Sequence, residues 1–201
     1  MESIDLGLPS GNLWCEINLG AEKIGENGKW AAWGGLELHD DKEVKEFTMF
    51  SNDGHDYRLA ENNIITKYNL DDHLEKLEPE DDIATQLLGP EFSIPGKDDF
   101  QELIENTEFS IATFNNYKCA KLKSKINNAE IYFPVPGWCA NGKVECPGEG
   151  GIYMTADLTP NPMKAYVAVV DGGNGEMTIS GSGLRLLGVQ VRAIKRKINE
   201  T

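Results

Sequence analysis

One helical segment stands out in a chain that otherwise shows little helical patterning, and its sequence is GPEFSIPGKDDFQELIEN. Phe100, Leu103 and Ile104 recur at the spacing i, i+3, i+4, which places them on one face of a helix. Asp98 and Asp99 fall in the first turn, where the helix dipole favours negative charge. The remaining chain is rich in Gly, Asn and short apolar runs. We therefore predict one central helix against which a small irregular sheet packs.

Short strand patterns surround this helix on both sides. Alternation of apolar and polar residues predicts strands at 13–17 and 117–124, and 129–133 is a β-rich run that ends at a proline. The sequence DGGNG separates two apolar runs within 165–180 and predicts a hairpin. GVQVRAIKR predicts a terminal strand, whereas GSGLRLLG before it is predicted to be a flexible loop.

No internal repeat and no linker-like segment divides residues 1–201, so we predict a single domain. Residues 36–69 are predicted to be an elaborated loop region. A second short helix is expected over 80–88, after a proline suited to the first helical turn. Residues 195–201 form a short basic tail that is either solvated or docked on an acidic neighbour.

Charge, hydropathy and the first residues of the sequence each disfavour one class of protein. The formal net charge is −14, which disfavours contact with a nucleic-acid backbone. No apolar run reaches the roughly 18 residues that a membrane helix requires. The first residues, MESIDLGLPSG, lack a basic and apolar leader, so export by the usual secretory route is not expected if this is the native start.

The metal-binding and redox residues show no recognisable site spacing. His39, His55 and His73 lack the spacing of ligands on one helix face, so we expect solvated structure and no metal. Cys139 and Cys146 flank a turn-like segment and could either form a disulfide or remain free. No hydrolase, P-loop or zinc-peptidase motif is present, and we predict no catalytic residue and no cofactor.

Two tryptophans, Trp30 and Trp33, stand beside a Gly-Gly pair. Their pattern fits either core packing next to a turn or a platform on which a carbohydrate stacks. The sequence leaves both interpretations open.

Six stretches, in order along most of the chain, match the motifs of a known family. They are IDLGLPSGNLW, LEPEDDIAT, FSIPGKDDFQELIEN, EIYFPVPGW, GIYMTA and GVQVRAIK. The chain resembles the paralogous domain abundant in Bacteroidetes, which is similar to the formylglycine-generating-enzyme and C-type-lectin-like fold. It departs from the family pattern at Met154, where a Trp is usual, and at Ser93, where an Arg is usual.

The resemblance implies an α+β, C-type-lectin-like domain with an irregular antiparallel sheet, one or two helices and long loops. Loops on such a scaffold vary while the core stays fixed, which suits recognition of other macromolecules. The related enzymes use a late cysteine pair. Cys139 and Cys146 are the late cysteines here, but they lie in no matching motif, so we expect a non-enzymatic protein.

Three functions remain as hypotheses. The first is a structural or recognition module on the surface of a bacteriophage particle, assembled in the host cytoplasm as a capsid or tail decoration or a host-attachment protein. Its partners would be other virion proteins, a host-surface protein or glycan, or further copies of itself. The second is a secreted or surface-anchored bacterial adhesin of the same fold. The third is an enzyme of the formylglycine-generating type.

Polar residues on Gly-flanked turns in the C-terminal half are the predicted partner-binding residues, because a rigid sheet would hold them exposed. They are Asp157, Asn161, Asp171, Asn174, Ser182 and Arg185. The alternative is that these turns are only connections or subunit contacts. Asn161 stands between two prolines with no carboxylate beside it, which disfavours sugar binding through calcium.

Overall fold

The computed structural model of the chain describes residues 1–41, 57–61, 64–140 and 142–197. Within these ranges, short antiparallel strands dominate and two short α-helices are present. The predicted combination of antiparallel sheet with few helices is therefore confirmed. His55 and half of the predicted loop region 36–69 lie outside the described residues, as do residues 198–201 of the predicted tail.

The helices are α1 (Ile83–Leu88) and α2 (Lys97–Glu105), and a 3₁₀ turn covers Pro79–Asp81. The strands are β1 (Ser3–Ile4), β2 (Leu13–Cys15), β3 (Ala60–Glu61), β4 (Ile64–Ile65), β5 (Phe92–Ser93), β6 (Thr107–Phe114), β7 (Tyr117–Ser124), β8 (Glu130–Pro134), β9 (Trp138–Ala140), β10 (Lys143–Glu145), β11 (Gly150–Leu158), β12 (Lys164–Asp171), β13 (Glu176–Leu184) and β14 (Ile194–Lys195).

These strands form three main sheets and two small ribbons, and the pairs between them are antiparallel. One sheet has the order β1-β2-β14-β5 and so joins the two ends of the described chain. The other two main sheets are the consecutive meanders β6-β7-β8 and β11-β12-β13. The ribbons are β3-β4 and β9-β10.

Helix α2 has the apolar face that the periodicity predicts. Phe100 and Leu103 are fully buried, and Ile104 is partly buried against the same core. The ring of Trp14 meets Phe100 edge-on at 5.0 Å and Phe133 at 5.9 Å. Edge-to-face aromatic pairs of this kind stabilise a core beyond the area that they bury. The helix thus packs on side chains from both β2 and β8.

The start of α2 is fixed by a contact from the basic tail. Asp99 accepts the backbone N–H of Gly96 at 2.7 Å, and Arg196 donates to both of its carboxylate oxygens at 2.8 and 2.9 Å. A two-point contact of this geometry is among the stronger ion pairs. The described part of the tail therefore docks on an acidic group of its own chain.

Several elements differ from the prediction; the terminal strand, for example, covers only Ile194–Lys195 of GVQVRAIKR. The second helix begins later than residue 80, because Asp82 acts as its N-cap and accepts the N–H groups of Ala84 and Thr85 at 2.9 and 3.1 Å. The segment predicted as a flexible loop after residue 180 continues β13 as far as Leu184. Gly183 permits this continuation, since a Cβ at that position would collide with Val167.

The two N-terminal tryptophans belong to the core. Trp30 and Trp33 are each 2% exposed, so the hypothesis that they form an open carbohydrate platform is wrong. The indole N–H of Trp33 donates to the carbonyl of Thr155 at 2.9 Å, and that of Trp30 donates to Asp41 at 2.7 Å. Both polar atoms are satisfied inside the fold, as burial requires.

Arg192 is a fully buried cation whose described partners are neutral oxygens. Its guanidinium donates to Asn18 Oδ1 at 2.7 Å, to the carbonyls of Cys15 and Glu16 at 3.0 Å each, and to the carbonyl of Tyr132 at 2.8 Å. Burial lowers the pKa of Arg192 to about 10, so the group is still charged at neutral pH. It joins the N-terminal segment to β8 through one side chain.

Candidate functional site

The predicted binding residues lie at two opposite ends of the β11-β12-β13 sheet. Asp171 pairs with Gly150 and Glu176 at one end, whereas Leu158 pairs with Ala165 near the other. Seven residue steps along β12 separate these ends, which corresponds to about 23 Å at the usual strand rise. Asp157 and Asp171 therefore belong to different surfaces.

Arg185 is not an exposed loop residue, and the prediction of its exposure is wrong. Its side chain is fully buried and lies 4.7 Å from the ring of Trp33, 5.5 Å from that of Tyr57 and 5.8 Å from that of Tyr68. The guanidinium donates to the Tyr57 hydroxyl at 3.0 Å. It also donates to the carbonyls of Lys67, Tyr68 and Pro162 at 2.9–3.1 Å. The arginine links the segment before α1 to the end of β13.

Ser182 and Asn161 are both exposed, as predicted, but each is engaged locally. The hydroxyls of Ser180 and Ser182 are 2.6 Å apart on β13. The side-chain oxygen of Asn161 accepts the N–H of Met163 at 3.0 Å within its own turn. These contacts are typical of turn and strand surfaces, and they point to no ligand by themselves.

Two recesses lie near the predicted binding residues. The first, the Tyr166 recess, has a volume of about 520 Å³ and lies beside the start of α2. Its apolar walls are formed by Leu70, Leu74, Leu158, Pro160, Pro162 and Tyr166, and its polar edge by Asn69, His73, Glu75, Lys76, Lys97, Asp157 and Thr159.

Asp157 has a structural role at the edge of this recess. Its carboxylate accepts the backbone N–H of Lys97 at 2.6 Å and so caps the first turn of α2. The ammonium of Lys97 lies 5.8 Å from the ring centre of Tyr166. Leu70 is 69% exposed and lines the rim of the recess, where it extends the apolar wall toward solvent.

The second recess is the Trp138 groove, at the other end of the same sheet. It also has a volume of about 520 Å³. It is lined by Lys118, Trp138, Cys146, Glu149, Gly150, Val169, Val170, Asp171, Gly173 and Asn174. Two of the predicted residues, Asp171 and Asn174, are therefore brought together in one cavity.

The turn between β12 and β13 is held by its own aspartate. Asp171 accepts the N–H groups of Asn174 and Gly173 at 2.9 and 2.7 Å, and these bonds lower the pKa of its carboxyl group. The side-chain amide of Asn174 donates to the same carboxylate at 2.8 Å. The carboxylate is thus ionised and fixed in position at neutral pH.

The late cysteines do not form a reactive pair. Cys139 and Cys146 are both free thiols, the first fully buried and the second exposed. Burial raises the pKa of Cys139 to about 12, so its thiol is neutral at physiological pH. Since the thiolate is the reactive form, Cys139 is a poor nucleophile.

Three carboxylates converge in front of α1, where Glu78, Glu80 and Asp81 hold oxygens within 4.8 Å of one another. The ammonium of Lys67 contacts all three, at 2.6, 3.1 and 2.6 Å. The hydroxyl of Tyr68 also donates to Asp81 at 2.6 Å. Lys67 and Arg58, which also pairs with Asp81, therefore offset much of the negative charge of this acidic cluster, which has a structural role.

We expect Asp81→Asn to lower the free energy of unfolding by about 1–3 kcal/mol at pH 7, because it removes the buried carboxylate of the ion pair with Lys67. The loss is smaller than for a fully buried pair, since the side chain of Lys67 is partly solvated. Burial opposes ionisation of Asp81, but hydrogen bonds from Lys67 and Tyr68 outweigh it and hold the pKa below its ordinary value of 3.8. A depressed carboxyl pKa stabilises the fold above the unfolded-state pKa, and this contribution is lost as pH falls through the folded-state pKa.

Urea unfolding of wild type and Asp81→Asn from pH 7 down to pH 2 measures this effect. The gap between the two proteins should shrink below about pH 4. Asp98→Asn is the matched control, because the side chain of Asp98 is 91% exposed and its place in the first turn of α2 is worth at most about 1 kcal/mol. A gap that stays constant on acidification would contradict the assignment.

Two of the three histidines fall in the described residues. The backbone of His39 pairs with that of Trp30 through N–H···O bonds of 2.9 and 2.8 Å, and His73 borders the Tyr166 recess. Neither is a member of the acidic cluster described above.

Comparison with family models, with curated proteins and with solved structures found no match. In the described ranges, no helix has both the length and the apolar character to cross a bilayer.

Proposed function

We propose that the chain is a non-enzymatic recognition module with a C-type-lectin-like fold of the kind found in the Bacteroidetes paralogous domain. It presents the Tyr166 recess to a protein partner. The observation that carries this proposal is the recess itself, a volume of about 520 Å³ with apolar walls, charged groups at its edge and the 69% exposed Leu70 at its rim. Concave apolar surfaces with a few placed polar groups are typical of binding sites.

The rigidity of the surroundings supports a binding role. Asp157 at the edge of the recess caps α2, and the buried Arg185 ties the neighbouring carbonyls of Lys67, Tyr68 and Pro162 together. A preformed recess loses little conformational entropy when a partner binds. The neutral, buried thiol of Cys139 argues against the formylglycine-generating type of chemistry.

As the biological setting we propose the surface of a bacteriophage particle, where the chain would act as a capsid or tail decoration or in host attachment. Other virion proteins, or further copies of the chain, are its proposed neighbours. The net charge of −14 suits a self-repelling surface protein in a crowded assembly. The alternative is a bacterial surface adhesin of the same fold.

Immunogold electron microscopy of purified particles, with an antibody raised against the chain, tests the setting. Labelling of intact particles supports the virion proposal. Labelling of uninfected bacterial cells, with none on particles, favours the adhesin instead. Absence from both would contradict the proposed surface location.

The recess is tested by Leu70→Asp, which places a charge at its apolar rim. We expect this variant to bind its particle or cell surface at least about tenfold more weakly, because an unpaired carboxylate would be desolvated on contact. Leu87→Asp is the matched control, since Leu87 is 53% exposed in α1 and does not line the recess. Equal binding of the Leu70→Asp variant and wild type, measured with labelled protein, would contradict the assignment of the recess.

A further inference from the structure

Trp138 differs from the other tryptophans in its environment. Trp14, Trp30 and Trp33 are 1–2% exposed, whereas Trp138 is only partly buried and lines an open groove. Its indole N–H makes no hydrogen bond to any residue in the part of the chain that the structure describes. An aromatic ring with an apolar face and an unpaired polar edge is a common component of ligand sites.

The ring is held in place by glycines that allow close backbone approach. Gly137 bridges to Gly151, donates its N–H to the carbonyl of Gly150 at 2.7 Å and has a φ of +85°. A Cβ at Gly137 would collide with the backbone of Glu145, which pairs with Trp138 across β9 and β10. The backbone that carries Trp138 is therefore closely packed against its neighbours, which places the indole at the groove.

Gly150 leaves open space beside the indole. A Cβ at Gly150 would lie 4.0 Å from Cζ3 of Trp138, which is ordinary contact distance. Gly150 is directly opposite Asp171 in the β11-β12 pair. The ring and the polar β12-β13 turn are consequently neighbours across two strands.

Polar groups with spare hydrogen-bonding capacity surround the ring. Glu149 is exposed and has no ion pair or side-chain hydrogen bond with any described residue. Asn174 gives its amide N–H to Asp171, which leaves its carbonyl oxygen as an acceptor. The ammonium of Lys118 donates to the carbonyl of Gly148 at 2.9 Å and retains further donors.

This combination points to one class of ligand. A sugar ring has an apolar C–H face that stacks on an indole, and hydroxyls at its edge that both donate and accept. A purely apolar ligand would leave the groove's polar groups without partners, which is unfavourable. Glu149 and Asp171 outweigh Lys118 in charge, and the chain carries a net charge of −14, so an anionic ligand is repelled.

We propose that the Trp138 groove binds a neutral saccharide, with one sugar face on the indole and hydroxyls bonded to Glu149, Asn174 and Lys118. This inference rests on the proposed recognition function and deepens it by naming the ligand class of a second surface. It is independent of the Tyr166 recess, which lies at the other end of the sheet.

Titration of the chain with maltotriose, cellotriose, mannotriose, triacetylchitotriose and the anionic sialyllactose tests the proposal through tryptophan fluorescence. At least one neutral trisaccharide should give a saturable change, since Trp138 is the tryptophan that faces solvent. Trp138→Ala should abolish the signal and, by calorimetry, weaken binding at least about tenfold. Glu149→Gln keeps the shape of the groove and should weaken binding severalfold.

Leu70→Asp is the control and should bind the saccharide as wild type does, even where it loses its particle or cell partner. That contrast separates failure of the saccharide site from failure of the proposed function. The proposal is overturned if none of the four neutral trisaccharides binds, if Trp138→Ala or Glu149→Gln binds as tightly as wild type, or if sialyllactose binds more tightly than the neutral sugars.

Discussion

Replacement of Arg192 by methionine is expected to lower the free energy of unfolding by about 3–5 kcal/mol, because it removes the hydrogen-bond donor of four oxygens, and each buried acceptor left unpaired costs about 1–3 kcal/mol. Methionine fills a similar volume but donates no hydrogen bond. The carbonyls of Cys15, Glu16 and Tyr132 and the side-chain oxygen of Asn18 would then be left buried without their donor. The contact of the guanidinium with the ring of Phe133, at 4.5 Å, is also lost.

Thermal unfolding of the purified variant measures this effect. For a chain of this size, the expected loss corresponds to a fall in melting temperature of roughly 6–20 °C. Arg192→Lys keeps the charge but cannot reach four acceptors, so it should be clearly destabilised as well. Lys143→Met, at a side chain that is 67% exposed, is the control and should change little. If Arg192→Lys were as stable as wild type, the charge and not the hydrogen-bonding geometry of Arg192 would explain its contribution to stability.

Replacement of Arg185 by methionine should lower the free energy of unfolding by a similar amount, about 3–5 kcal/mol, because it also leaves buried acceptors unpaired. The structural effect should be more local. The guanidinium holds the hydroxyl of Tyr57 and the carbonyls of Lys67, Tyr68 and Pro162. It also lies against the rings of Trp33, Tyr57 and Tyr68, and desolvated contacts of this kind add about 2 kcal/mol. These contacts tie the segment that contains β3 and β4 to the end of β13, while Lys67 and Tyr68 tie it to Asp81.

Hydrogen exchange monitored by mass spectrometry distinguishes this local effect from global unfolding. Peptides covering 57–70 should lose protection in Arg185→Met, while peptides from α2 and β7 keep theirs under native conditions. Arg192→Met provides the comparison, because its loss of protection should extend to β2 and β8. Uniform loss of protection in both variants would contradict a local role for Arg185.

Sequence patterns that span only a few neighbouring residues predicted the corresponding strands, hairpin and helix well. The strand predicted at 117–124 is β7 with the same bounds, and the hairpin around DGGNG is β12 and β13. The apolar face of α2 follows from three residues within one and a half turns. By contrast, β6 was not predicted. Side chains on both of its faces are partly or fully exposed, so its sequence shows no clear alternation of apolar and polar residues.

The candidate sites depended on contacts that no local pattern contains. Arg185 and Asn161 look alike in sequence, as polar residues near glycine or proline, yet one is buried among three rings and the other is exposed. The acceptors of Arg185 come from positions more than 20 residues away along the chain. Trp138 lies in a Gly/Pro-rich stretch of the sequence, but its place beside Asp171 follows only from the pairing of β11 with β12.

The position of β14 has a consequence for how the protein is made. Because β14 lies between β2 and β5, the four-stranded sheet lacks the strand that joins them until residues 194 and 195 have been synthesised. During synthesis, β2 and β5 therefore remain without their partner β14, and their apolar side chains stay exposed. The meanders β6-β7-β8 and β11-β12-β13 can form before that point. Chaperone binding during translation should concentrate on residues 1–20.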